Sequence, residues 1–152
     1  MSQNWVLSSR SREKLTGVRP ELVETVKRAL ELSPIDFGVT EGKRSIDRQK
    51  ELVARGLSQT INSKHLDGRA VDLVAYIGGR VCWEMTAYDE LADAMKQAAK
   101  TTDVSCRWGG AWHVRDLRLH EGTMEDAMNS YIDLRRSQGR RPFLDGPHFE
   151  LS

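Results

Sequence analysis

The spacing of apolar and polar positions divides the chain into helical and extended stretches. In "PELVETVKRALELS", Leu22, Val23, Val26, Ala29 and Leu30 fall on one face of a helix. Pro20 suits its first turn and Pro34 follows its end. "IDFGVTEG" reads as a short strand, and Ser45 is placed to cap a helix through "IDRQKELVARG" that stops at Gly56. From Ala70 to Ile77 only Asp72 interrupts an apolar run, the pattern of a largely buried strand. Gly78-Gly79 then predicts a hairpin into "RVCWEM". Thr86, with Asp89 and Glu90 in the first turn, is expected to begin a helix to about Lys100 that presents Leu91, Met95 and Ala98. "DVSCRW" reads as another strand. Thr123 begins a last helix with Met124, Ala127, Met128, Tyr131 and Leu134 at helical spacing, and "PHFELS" closes the chain as a short strand after a proline turn. Helices and antiparallel hairpin signals mix without regular βαβ alternation, which argues for an α+β fold.

At 152 residues the chain is expected to be one compact domain, residues 1–152. Its 23 Lys+Arg and 22 Asp+Glu nearly cancel, so nothing implies a nucleic-acid footprint. No apolar run approaches the about 20 residues of a membrane span, and no apolar segment opens the chain as a signal peptide would. Synthesis in the cytoplasm, no stable membrane association and a monomer are therefore expected. Cys82 and Cys106 show no CxxC spacing and read as buried thiols, with a bridge between neighbouring strands left open.

Asp72 is the position that demands chemistry. A carboxylate in a buried strand loses hydration worth roughly several kcal/mol unless a cation or good donors compensate. His65 stands seven residues earlier, across a turn at Asp67-Gly68, on a path able to fold back beside Asp72. In "DGPHFEL" the alternation sends Phe149 and Leu151 to one face and His148 and Glu150 to the other, so a short strand would carry His148 as a rigid ligand. His113 and His120 lie in the arginine-rich "AWHVRDLRLHEG", which reads as a surface loop. Two histidines and a carboxylate suit zinc with a position left for water. Spacing alone leaves a second answer open, an ion pair between Asp72 and Arg44 or Arg69.

"SKHLDGRAVD" fits S-x-H-x-x-G-x-A-x-D, and "DGPHFEL" fits D-x-x-H followed by Phe-Glu. Together they resemble the zinc peptidases of the VanY/D-alanyl-D-alanine peptidase superfamily, within it the phage endolysins that are L-alanyl-D-glutamate endopeptidases. "EGKRSIDRQKELVARGLSQTINSKH" and "RWGGAW" resemble further elements of that branch, although Ala111 stands where its Trp-Gly-Gly element usually continues with Asp. The match runs from roughly Phe37 to Leu151. It implies a small antiparallel sheet flanked by helices in a Hedgehog-type arrangement, with one Zn2+ per chain held by His65, Asp72 and His148. It further implies Asp145 as the catalytic carboxylate and Arg44 as the oxyanion partner. Gln49 and Ser63 would lie near the substrate, and Trp108 and Trp112 would flank the cleft.

The activity so implied is cleavage of the L-Ala–D-Glu bond in peptidoglycan stem peptides, by an enzyme that waits in the host cytoplasm until a holin opens the inner membrane onto the periplasmic wall. No separate wall-binding domain is expected. A D-Ala-D-Ala dipeptidase or carboxypeptidase would use the same metal centre, and a non-catalytic wall-binding module would predict decay of a set that is intact. A lysozyme-like glycosidase needs two carboxylates across a sugar and would leave both histidines unexplained.

Overall fold

The computed structural model describes residues 5–58 and 63–152, and residues 59–62 of the endolysin-like segment lie outside the description. The described residues form five α-helices and a five-stranded antiparallel sheet, an α+β architecture. The elements run α1 (Ser9–Lys14), α2 (Pro20–Leu32), β1 (Asp36–Glu41), α3 (Ile46–Ala54), β2 (Ala70–Ile77) and β3 (Arg80–Cys82). They continue with α4 (Met85–Thr102), β4 (Cys106–Gly109), α5 (Met124–Ser137) and β5 (Asp145–Leu151). No helix among them is long and apolar enough to cross a membrane.

The caps follow from local chemistry. Ser45 Oγ accepts from Arg48 N at the start of α3, and Thr123 Oγ1 from Asp126 N at the start of α5. Helix α4 begins one residue before Thr86, behind Glu84, with no side-chain cap and no acid in its first turn. Asp89, in phase with Ala92, Lys96 and Ala99, faces inward and is buried. Beyond β3 the chain leaves the sheet, so Trp83 is exposed rather than part of the hairpin strand. β5 starts before its proline. Pro147 falls where the β4–β5 register shifts, between Trp108↔Phe149 and Gly109↔Asp145, so its missing N–H breaks no ladder bond. Cys82 and Cys106 are both free thiols.

The sheet order is β1-β2-β5-β4, with β3 pairing the far end of β2. Alternation sends Phe37, Val39, Val71, Leu73, Ala75, Trp108 and Phe149 into one core, which includes Leu22 and Val26 of α2 and Leu91 and Met95 of α4. The opposite face carries the residues between them. Asp72 and His148 are direct cross-strand partners there, and Glu150 is opposite both Ala70 and Arg107. At the other edge of β2, a bulge between Val39 and Glu41 inserts Thr40 and brings Glu41 opposite Asp72. In an unbulged strand, strict alternation from Val39 through Thr40 would set Glu41 on the core face.

Candidate metal centre

Two segments carry the centre. A short 3-10 turn, Lys64–Asp67, presents His65, whose backbone N–H is capped by Ser63 Oγ, which accepts from His65 N at 3.2 Å. The turn ends at Gly68 with φ +75°, where a Cβ would lie 2.3 Å from Gly17 O, so only glycine fits. The other segment is the β2–β5 pairing that sets Asp72 beside His148. One nitrogen of each histidine and one Asp72 oxygen lie within 4.8 Å of one another.

The histidines are oriented from behind. His65 Nδ1 is 2.8 Å from the carbonyl of Gly42, which only accepts, so the proton sits on Nδ1 and Nε2 keeps its lone pair. That Nε2 is buried and has no hydrogen-bond partner, although Asp72 Oδ1 is 3.3 Å away. A buried imidazole nitrogen without a bond, facing a carboxylate and a second imidazole, fits a metal ligand, and a His2Asp donor set suits zinc. His148 Nδ1 is 3.3 Å from Asp72 Oδ1 and its Nε2 is 2.9 Å from Glu150 Oε1.

Electrostatics bind the cluster together. Burial alone would raise the Asp72 carboxyl, but the hydrogen bond from His148 and the neighbouring imidazoles outweigh it and hold the group well below the usual range. Burial pulls His148 down, and the carboxylates of Asp72 and Glu150 overcome that, holding the ring up to about 9. Asp145 is raised, first by burial and then by the nearby charge of Asp72.

The three ligand candidates lie in the wall of a cavity of about 660 Å3, with Asp145, Arg44 and Ser63 also on its surface. Arg44 is one of the two arginines the sequence offered to Asp72, and its Nη2 lies 3.6 Å from Asp72 Oδ2. The other, Arg69, turns away to Asp67 at 2.8 Å. Arg44 is held by Glu41, whose Oε2 accepts from Nε at 2.7 Å, and by Gln49 Oε1, which accepts from Nη1 at 2.7 Å. Gln49 is thus buried behind the arginine and away from the cavity surface, with its amide donating to Ser58 Oγ at 2.9 Å. Arg44 N also donates to His65 O at 2.8 Å, tying the arginine to the ligand turn.

The two tryptophans part company. Trp112 lines the cavity with its ring 5.4 Å from that of His148, and it stacks on Phe143 at 6.3 Å. Trp108, expected on the cleft wall, is fully buried instead: it stacks on Phe149 and donates Nε1–H to Gly146 O at 2.7 Å. The alternation of β4 sends it to the core, where it supports the Asp145 segment from beneath. Ala111 is also fully buried, inside a turn that its N–H closes onto Trp108 O. His113 and His120 take no part in the cluster; the His113 ring lies against Tyr131 and the His120 carbonyl accepts from Lys96 Nζ. Glu41 and Lys64 also reach the cavity, and no motif in the sequence points to either.

Comparison with known proteins agrees with this geometry. Residues 3–152 match the family described as phage L-alanyl-D-glutamate peptidase. The chain is 36% identical over 145 residues to the L-alanyl-D-glutamate peptidase of Escherichia phage T5, covering 93% of each protein. A second L-alanyl-D-glutamate peptidase, from Listeria phage A118, is 34% identical over 82 residues, 54% of this chain and 28% of that protein. Among solved structures, the Serratia marcescens L-Ala D-Glu endopeptidase ChiX superposes with a TM-score of 0.72 at 36% identity, covering 98% of this chain and 92% of that one.

Proposed function

The chain belongs to the phage L-alanyl-D-glutamate peptidase family, and from that premise we propose that it is a zinc-dependent endopeptidase cutting the L-Ala–D-Glu bond of peptidoglycan stem peptides. The observation that carries the metal is the buried, unpartnered Nε2 of His65 facing Asp72 and His148 in the cavity wall. His65, Asp72 and His148 would hold one zinc ion, which when bound would supply Lewis acidity to the attacking water and the scissile carbonyl.

The rest of the reaction belongs to the protein. Asp145 takes the proton of the attacking water and returns it to the amine of D-Glu as the peptide bond breaks. Its raised carboxyl suits a group that must both accept and release that proton. Arg44 faces the negative charge that develops on the carbonyl oxygen, a contribution worth about 3 kcal/mol for one well-placed donor. Glu41 and Gln49 fix the plane of its guanidinium, so Gln49 acts on substrate through Arg44. Ser63 holds the His65 turn at the cavity edge, and Trp112 walls the peptide's path beside His148. Trp108 serves the substrate only by supporting the strand that carries Asp145. The enzyme acts as a single-domain monomer without nucleic-acid or stable membrane partners. It serves as an endolysin, made in the host cytoplasm and reaching the periplasmic wall once a holin opens the inner membrane.

Digestion of purified peptidoglycan, followed by mass spectrometry of the products, tests the reading. New peptides beginning with D-Glu, together with muramyl-L-Ala, are expected. Loss of terminal D-Ala in their place would assign the D-Ala-D-Ala activity instead, and an intact polymer after incubation with folded, zinc-loaded protein would overturn the peptidase assignment.

A further inference from the structure

We infer that Glu150, clamped by Lys64, is the positioning residue that aims His148 at the metal. The inference rests on the zinc site proposed above and extends it to two residues outside the ligand set.

His148 has two ring nitrogens and two carboxylate neighbours. Nδ1 faces Asp72 Oδ1 at 3.3 Å, toward the ligand cluster, while Nε2 meets Glu150 Oε1 at 2.9 Å in the buried interior. An ionised carboxylate only accepts, so Glu150 keeps a proton on Nε2 and leaves the Nδ1 edge as the one presented to the ion. The same bond stops the ring from turning about its χ2 axis, which would exchange the two edges. Gly42 O performs the matching task behind His65, so each histidine has one acceptor at its back.

Glu150 is itself held. Its second oxygen pairs with Lys64 Nζ at 2.8 Å, and Lys64 Nζ also donates to Leu151 O at 2.7 Å. Lys64 immediately precedes His65 in the chain. One partly buried ion pair therefore joins the turn that carries one ligand to the strand that carries another. Such pairs add little to stability, because desolvation offsets most of the attraction. Its consequence here is geometric, since it sets the spacing and aim of the two imidazoles.

The test is zinc affinity, measured by competition with a chromophoric chelator, together with the visible spectrum of the Co2+-substituted protein. Glu150→Ala is expected to weaken zinc binding by about 10–100-fold and to change the Co2+ bands. Glu150→Gln keeps an oxygen that accepts from Nε2–H but loses the ion pair, so an intermediate loss is expected, and Lys64→Met should resemble it. A merely structural role would lower the melting temperature and leave both metal readouts unmoved. A folded Glu150→Ala protein with the parent's affinity and spectrum overturns the inference. Should that variant fail to fold, parental affinity in both Glu150→Gln and Lys64→Met does the same. A parent that binds no zinc overturns the underlying site and this inference with it, whereas a parent that binds normally beside unaltered variants removes this inference alone.

Discussion

Gly109→Ala isolates the placement of Asp145 from the binding of metal. In β4, Gly109 lies against the first residue of β5, and a Cβ built on it would sit 2.2 Å from Asp145 O. The obstacle is backbone rather than a flexible side chain, so the strands must separate by about 1 Å before ordinary contact at 3.4 Å is reached. That movement displaces Asp145, while His148 remains paired to Asp72 through β2. Misplacing a catalytic group by about 1 Å costs on the order of 100-fold in rate, and the overpacking lowers stability by about 1–3 kcal/mol. The assay is kcat on a soluble muropeptide, read beside zinc content and melting temperature. The expected variant is folded, carries zinc and turns over about 100-fold more slowly. A variant with the parent's kcat would refute the requirement for close approach of the two strands at Asp145.

Three further outcomes follow from the same geometry. Arg44→Lys removes the planar fork that Glu41 and Gln49 hold, and should lower kcat by about 10²–10³-fold while zinc stays bound; unchanged turnover would exclude Arg44 from the oxyanion role. Asp89, buried on α4 with Oδ2 unpartnered among the described residues, is pushed up to about 6 by burial and by Glu125, Asp93 and Glu90. The folded protein thus binds the proton more tightly than the unfolded chain, so stability declines as pH rises from about 4 to about 6 and is level above, by at most about 3 kcal/mol and on the order of 1 kcal/mol after solvent screening. Asp89→Asn should flatten that slope in urea titrations and raise stability at pH 8; a variant less stable than the parent at pH 8 would contradict it. Trp112→Ala should raise KM for the stem peptide with zinc affinity unchanged, and an unaltered KM would remove Trp112 from the cleft wall.

Much of this centre was legible from local pattern. The single charge in the Ala70–Ile77 run marked Asp72, and the alternation of "PHFEL" separated His148 from the core residues Phe149 and Leu151. What local pattern does not carry is register. The pairing that sets Asp72 beside His148 joins residues far apart in the chain; residue chemistry offered both as ligands of one ion and the motif resemblance strengthened the link, but neither gave the strand register. The bulge at Thr40 was hidden for the same reason, although Glu41 was a legible partner for Arg44 three residues on. Trp108 and Trp112 look alike in "RWGGAW", yet one continues the strand into the core and the other follows a turn into the cavity. Asp89 faces inward by the helical spacing it shares with the buried Ala92, Lys96 and Ala99, while α4 starts one residue earlier than cap chemistry suggests because Thr86 caps nothing. Glu150 was placed on the right face by alternation, but its bonds to His148 and Lys64 needed the tertiary structure.

The central claim is that His65, Asp72 and His148 hold the ion on which hydrolysis depends. Its most direct measurement is the rate of L-Ala–D-Glu cleavage as zinc is added back to rigorously metal-free protein. The account predicts no cleavage without metal and a linear rise that breaks at one equivalent per chain. Cleavage at the full rate by protein verified to be metal-free would contradict it.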